Sequence, residues 1–215
     1  MKCIFEINAR VSLKESAELK HQKIIASLMD VSLPWGLDKQ SEVPFPGFKD
    51  NSVALVQLKK NFNNGIKMDL MYRYRNMLDD HHSSDDRAYV EFNSNKIDYK
   101  NLIEVILPKY IDIFNPYFVG IYNESLIYKD FEASRNKNYR KTVIRFYPVL
   151  YYDEKFCTEV LKMGVKDIFK RVRGDVFKVD FHNNGIIIIA GIAPFSVEES
   201  DEFDKKMRIL LAYKG

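Results

Sequence analysis

Cysteine occurs at only two of the 215 positions, Cys3 and Cys157. Two thiols cannot build a tetrathiolate metal site, and each lies in an apolar stretch where a buried free thiol is the expected state. Glycine is sparse, at 9 residues, which argues against a loop-built binding protein and, with 46% apolar residues, against disorder. No run approaches the roughly 18 consecutive apolar residues of a membrane span. The N-terminal MKCIFEINARV has neither a long apolar core nor a small-residue cleavage site, so it reads as a first strand rather than a signal peptide. A chain that neither spans a membrane nor carries an export signal is expected in the cytoplasm. An excess of one charge is missing too. The net charge is +3, with 33 basic and 30 acidic residues, which argues against a dedicated nucleic-acid binder. Nucleophile elbows, P-loops and dinucleotide-binding glycine fingerprints are absent, so no enzyme class and no cofactor is indicated. No pattern specifies an oligomeric state.

What is present is an alternation of elements dense in aromatics, with 13 tyrosines and 15 phenylalanines. Residues 2–9 alternate as a strand. Ser12 and Glu15 have capping-box spacing ahead of a helix running to about Met29, whose apolar stripe is Ala17, His21, Ile24, Ile25 and Leu28. Residues 32–51 contain three prolines and two glycines and are expected to be irregular; they hold the only tryptophan, Trp35. Asn51 or Ser52 is placed to cap a short helix to about Phe62. Ile66–Tyr74 and Ala88–Phe92 read as strands. Asp98 caps a helix to Phe114, which Pro108 is expected to kink or break. Tyr117–Tyr122 and Ser125–Phe131 read as a hairpin about Asn123–Glu124. A basic stretch then leads to a strand at Tyr147–Tyr152 and a helix capped by Asp153 and extending through Phe169. Val176–Phe181 and Ile186–Ala190 flank Asn183-Asn184-Gly185, a turn that needs positive φ. The continuous apolar run of the second strand is expected where a strand is covered on both faces. Ser196 and Glu199 form a second capping box before a last helix that buries Phe203, Met207, Leu210 and Leu211.

This order predicts one α+β domain over residues 1–215, a mostly antiparallel sheet with helices packed on one face. It is a loose pseudo-repeat of two β-α-β-β-α units, with an alternative lobe boundary near 130–140.

Residues 78–87, LDDHHSSDDR, hold two of the four histidines. Adjacent histidines diverge on a strand and on a helix, so His81 and His82 are poorly spaced to share a metal. Neither the helical zinc pattern nor the calcium-loop pattern is met. A solvated hairpin loop fits the position better, with a protruding surface that presents carboxylates to a basic partner as the alternative. His21 and His182 are read as structural. Asp175, Lys178 and Asp180 are the best local offer of a nuclease-like carboxylate–lysine set, and their spacing points them to opposite faces. The segment 129–145 carries Arg135, Lys137, Arg140, Lys141 and Arg145 with interleaved Tyr139. It is expected to be a solvated connector, with nucleic-acid backbone contact as the alternative. The acids from Glu198 to Asp204 suit the positive end of a helix dipole.

The stretch GIIIIAGIAPFSVEESDEFDKKMRILL, residues 185–211, resembles the end of the Immunity protein 52 family of polymorphic toxin systems. The likeness lies in an apolar strand after a glycine, a Pro-Phe pair, an acidic helix start and an aliphatic last turn. Tyr151–Phe169 adds a looser similarity. The resemblance implies a cytoplasmic antitoxin that occludes one cognate toxin, an interbacterial effector such as a nuclease delivered by type VI secretion. Nuclease inhibitors are often acidic, and this chain is slightly basic. On that implication the expected contact residues are Trp35, Asp79, Asp80, Asp85 and Asp86, with Glu198, Glu199 and Asp201 at the start of the last helix. The alternatives are a metal-dependent enzyme and a nucleic-acid-binding module.

Overall fold

A computed structural model describes residues 1–38, 42–47, 52–76 and 78–214. The elements in chain order are β1 (Lys2–Ala9), α1 (Ala17–Met29), β2 (Val53–Gln57), β3 (Lys67–Arg73) and β4 (Asp86–Asn93). Next come α2 (Tyr99–Asn101), a π turn (Leu102–Ile106), α3 (Leu107–Phe114), β5 (Phe118–Asn123) and α4 (Ser125–Ser134). The chain closes with β6 (Val149–Asp153), α5 (Glu154–Glu159), α6 (Val165–Val172), β7 (Lys178–His182), β8 (Gly185–Ile189) and α7 (Val197–Leu210). The eight strands form one sheet in the order β2-β3-β4-β1-β5-β6-β8-β7, and every pairing is antiparallel. The α+β class and the antiparallel sheet are as the sequence predicts.

Register sorts the core onto two faces. Phe5 sits between Val90 and Ile121, and Ile121 pairs with Val149 in turn. This face carries α1, α2 and α3 in one apolar cluster. On the other face Leu150, Tyr152, Ile186 and Ile188 pack with α5, α6 and α7, while Ile4 and Tyr122 pack with Leu126 of α4. Helices therefore lie on both faces rather than the single one expected. The cause is β8, whose five residues are all buried, so each of its sides needs a cover.

Several local expectations are corrected. Residues 53–57 form a strand, not a helix, because Ala54 and Val56 are buried while Leu55 and Gln57 are exposed, a period of two; Asn51 lies outside the described residues. Ser125–Ser134 is a helix rather than a strand, started by the Asn123 side chain accepting from the Ser125 N–H at 3.0 Å and burying Leu126 and Asp130 one turn apart. The cap of α1 is Ser16, whose hydroxyl accepts from the Leu19 N–H at 3.1 Å; Ser12 makes a preceding turn. Pro108 does not break its helix. It follows the π turn, where the Leu107 N–H reaches Leu102, and the wider turn carries the helix past a residue that has no N–H to place. The helix after Asp153 is two helices, parted at residues 160–164 where Lys162 has a φ of 57°.

Trp35 is 1% exposed. Its ring meets Phe92 edge-on at 5.3 Å, and its carbonyl accepts from the Tyr110 hydroxyl at 2.7 Å. It is a core anchor for the irregular segment and offers no surface to a partner, which corrects the expectation from sequence.

Candidate functional site

Much of the acidic loop pairs with residues 138–141 of the basic stretch, 55 to 61 residues away in sequence. Asp85 is 0% exposed. It accepts from the Tyr117 hydroxyl at 2.7 Å and from Arg140 Nε at 2.8 Å. Burial pushes its pKa up, and Tyr117 and Arg140 draw it back. Asp86 is buried under a two-pronged bond from Arg75, 2.8 Å on each arm, with Lys20 at 2.9 Å. Asp85 and Asp86 are thus internal ion-pair partners and not the contact surface expected of them. A carboxylate can be so deep only if it is paired and hydrogen-bonded.

Asp79 and Asp80 remain exposed. Asp79 accepts from the Ser84 hydroxyl at 2.6 Å, and Asp80 pairs with Lys141 at 2.7 Å. These hydrogen bonds hold both carboxyls below the usual range. The His82 ring stacks on Tyr139 at 4.3 Å and 8°. Burial, then Arg87, His81 and Arg140, push its pKa down to about 4. Asn138 closes the join, accepting from the His82 N–H at 3.1 Å and donating to the Asp80 carbonyl at 2.8 Å.

Residues 135–148, a strap between α4 and β6, are pinned at their far end as well. Arg145 donates twice to Asp130, 2.6 Å each, and once to Asp201 at 2.9 Å. Burial opposes the Arg145 charge, but Asp130 and Asp201 outweigh it and raise its pKa. Lys129 also pairs with Asp201, and the Phe146 N–H donates to Asp204 at 2.8 Å. The strap is therefore not a solvated connector, since Arg140 and Arg145 are committed internally. At the start of α7, Glu199 completes the capping box with Ser196, accepting from the Ser196 N–H at 2.7 Å, while Glu198 is exposed.

Strap, α4 and sheet enclose a cleft of about 470 Å³. Its floor follows from strand register. Gly120, Glu6, Tyr89 and Asp69 form one cross-strand row, and Phe118, Asn8, Arg87 and Met71 form the next. A Cβ on Gly120 would come within 2.9 Å of both Phe118 and Tyr147, so glycine is what lets the Tyr147 ring lie across β5. There Tyr147 stacks on Tyr122 at 4.1 Å. The Tyr122 hydroxyl donates to Glu6 at 2.7 Å, and Asn8 donates to the other Glu6 oxygen at 3.0 Å. Burial and the nearby Glu6 raise the pKa values of Tyr122 and Tyr89, so both hydroxyls stay protonated donors. Ile127, Phe131, Tyr139 and Val143 complete the walls. Leu55 and Phe131 of the lining are 53% and 60% exposed, and Tyr128 of α4, near Tyr89, is 82% exposed.

Buried polar atoms without a hydrogen-bond partner among the described residues gather on this face. They include Asn8 Oδ1, Asp69 Oδ1, Arg73 Nε and Arg87 Nε. Buried polar groups in folded proteins are nearly always paired, so these atoms retain hydrogen-bonding capacity toward water or another group. The floor residues of the cleft escaped the sequence reading because their kinship is one of register, not of spacing. The one available signal was the polar alternation of Lys67, Asp69 and Arg73 and of Arg87 and Glu91, which marks a half-open sheet face.

The other ionisable groups are structural in placement. His21 Nδ1 lies 3.0 Å from the Tyr72 hydroxyl, and burial lowers its pKa. His182 meets Asp112 at 2.8 Å. Lys178 pairs with Asp180 while Asp175 pairs with Lys206, so those carboxylates do not converge. Cys3 and Cys157 are buried free thiols, their pKa values pushed up by burial to about 11 and about 12. Among the described residues no group of three or more His, Cys, Asp or Glu side chains is arranged to hold a metal ion, and no helix is long and apolar enough to cross a membrane.

No family model matches the chain, and neither does any curated protein. Among solved structures the chain is similar to Pseudomonas aeruginosa T6SS protein PA0821, at a TM-score of 0.52 and 10% identity, over 98% of this chain and 72% of that one. At that identity the likeness is one of fold.

Proposed function

We propose that this protein is an immunity-type binding protein of a type VI secretion system, which inhibits one cognate effector by stoichiometric occlusion. The observation that carries this reading is the likeness of nearly the whole chain to a T6SS protein. The C-terminal resemblance to an immunity family supports it from the sequence side. The binding surface is the cleft face, where Leu55, Tyr128 and Phe131 stand exposed around a floor with unpaired polar atoms. Solvent-exposed aromatics beside a recess are what protein interfaces use as anchors. Asp79 and Asp80 stand exposed on the loop fastened to the strap, and Glu198 on α7 offers a further exposed carboxylate. Trp35, Asp85 and Asp86 act from inside by holding the framework.

The test is co-expression with the product of the gene next to the one that encodes this chain. The reading predicts a stable complex that survives gel filtration and relief of that product's toxicity. A soluble neighbouring product that is toxic alone and neither bound nor relieved would overturn it.

A further inference from the structure

The cleft is not neutral in what it asks of an occupant. Five of its lining side chains carry formal charge: Glu6, Asp69 and Asp130 against Arg87 and Arg145. Of the two bases Arg145 is paired, while Arg87 has one bonded arm and an unpartnered Nε–H. Arg145 is held by Asp130 and Asp201, and Arg87 donates to the His82 carbonyl at 2.8 Å. With Asp130 neutralised by Arg145, Glu6 and Asp69 face Arg87, and the cleft is left one negative charge in excess. Asp69 Oδ1 is buried without a partner. The walls above these carboxylates are aromatic, with the Tyr122–Tyr147 stack on one side and Tyr89 on the floor between Glu6 and Asp69. A cation over aromatic faces is attracted by their quadrupoles, and more strongly where water is excluded. An anion would meet two carboxylates against one guanidinium, Arg87, whose Nε–H is the donor left unpartnered.

We infer that the cleft receives a cationic side chain, an arginine or lysine, of the partner protein. Asp69 and Glu6 would neutralise the head group while the tyrosines flank its stem. The inference rests on the reading of this chain as an effector-binding protein, and it specifies the partner's chemistry: an exposed basic residue at the centre of its contact surface. A volume of about 470 Å³ accommodates such a side chain together with its neighbouring backbone.

The test uses the full chain and a defined probe. Nα-acetyl-arginine methylamide is titrated while the ring resonances of Tyr89, Tyr122 and Tyr147 are followed by NMR, with the neutral citrulline analogue and inorganic phosphate as separate arms. The expected result is a saturable shift with arginine, weakened at least about tenfold for citrulline and for Asp69→Asn, and no shift with phosphate. The citrulline arm needs no variant, so it stands even if Asp69→Asn misfolds. Absence of a saturable arginine response, equal binding of citrulline, or a response to phosphate alone would overturn the inference. If the wild-type chain binds its neighbour's product yet fails the arginine arm, the cleft chemistry is wrong and the effector reading stands. The converse result separates the two in the opposite direction.

Discussion

Asp85, Arg140 and Tyr117 show how single residues here trade surface for structure. Removing one member of a buried ion pair leaves the other charge uncompensated, at a cost of about 3–5 kcal/mol. Asp85→Ala should therefore lower the urea-unfolding free energy by about that much, and a cycle with Arg140→Ala should show the two losses far from additive. His82 provides a pH signature. Its folded pKa of about 4 lies below its ordinary 6.5, so folding favours the neutral ring. The stability from this group is complete above pH 6.5 and is lost as the pH falls toward 4, by about 1–2 kcal/mol after allowance for solvent screening. Unfolding midpoints measured from pH 7 to 4 should fall less steeply in His82→Gln than in the native chain; parallel curves would contradict this. Gly120→Ala should cost about 1–3 kcal/mol, because the new methyl meets Phe118 and Tyr147 at 2.9 Å.

The elements divide into those whose signals are local and those decided by register. The α7 capping box, the stripe of α1, the Asp153 cap and the Asn183-Asn184-Gly185 turn were legible because each rests on residues within a few positions of one another. Ser196→Ala should accordingly lower stability by about 1 kcal/mol, read from thermal unfolding. Val53–Gln57 and Ser125–Ser134 were misread because short apolar segments fit both periods until a neighbour is known: β3 for the first, the open face of the sheet for the second. The acidic loop and basic strap were each visible as sequence. Their mutual neutralisation was not, since it depends on β4 and β5 flanking β1 and so bringing residues 79–86 beside 138–141. That pairing makes Asp85 internal, while Asp86 is buried under Arg75 and Lys20 and Trp35 against Phe92 and Tyr110.

At the scale of the whole molecule, one eight-stranded sheet is covered on its first face by α1–α3. On its second face it is covered mainly over β6 and β8, which leaves the second faces of β1, β3 and β4, with part of β5, to form the floor of an open cleft. Under the proposed function, partner binding falls on that cleft and its aromatic rim. The most direct measurement is calorimetric titration of the neighbouring gene's product with the native chain and with a Tyr128→Ser, Phe131→Ser double variant. Both side chains are mostly exposed, so stability should change by no more than about 0.5 kcal/mol. Affinity should fall about tenfold or more if these rings are anchors. A double variant that binds as tightly as the native chain would contradict the assignment of this face.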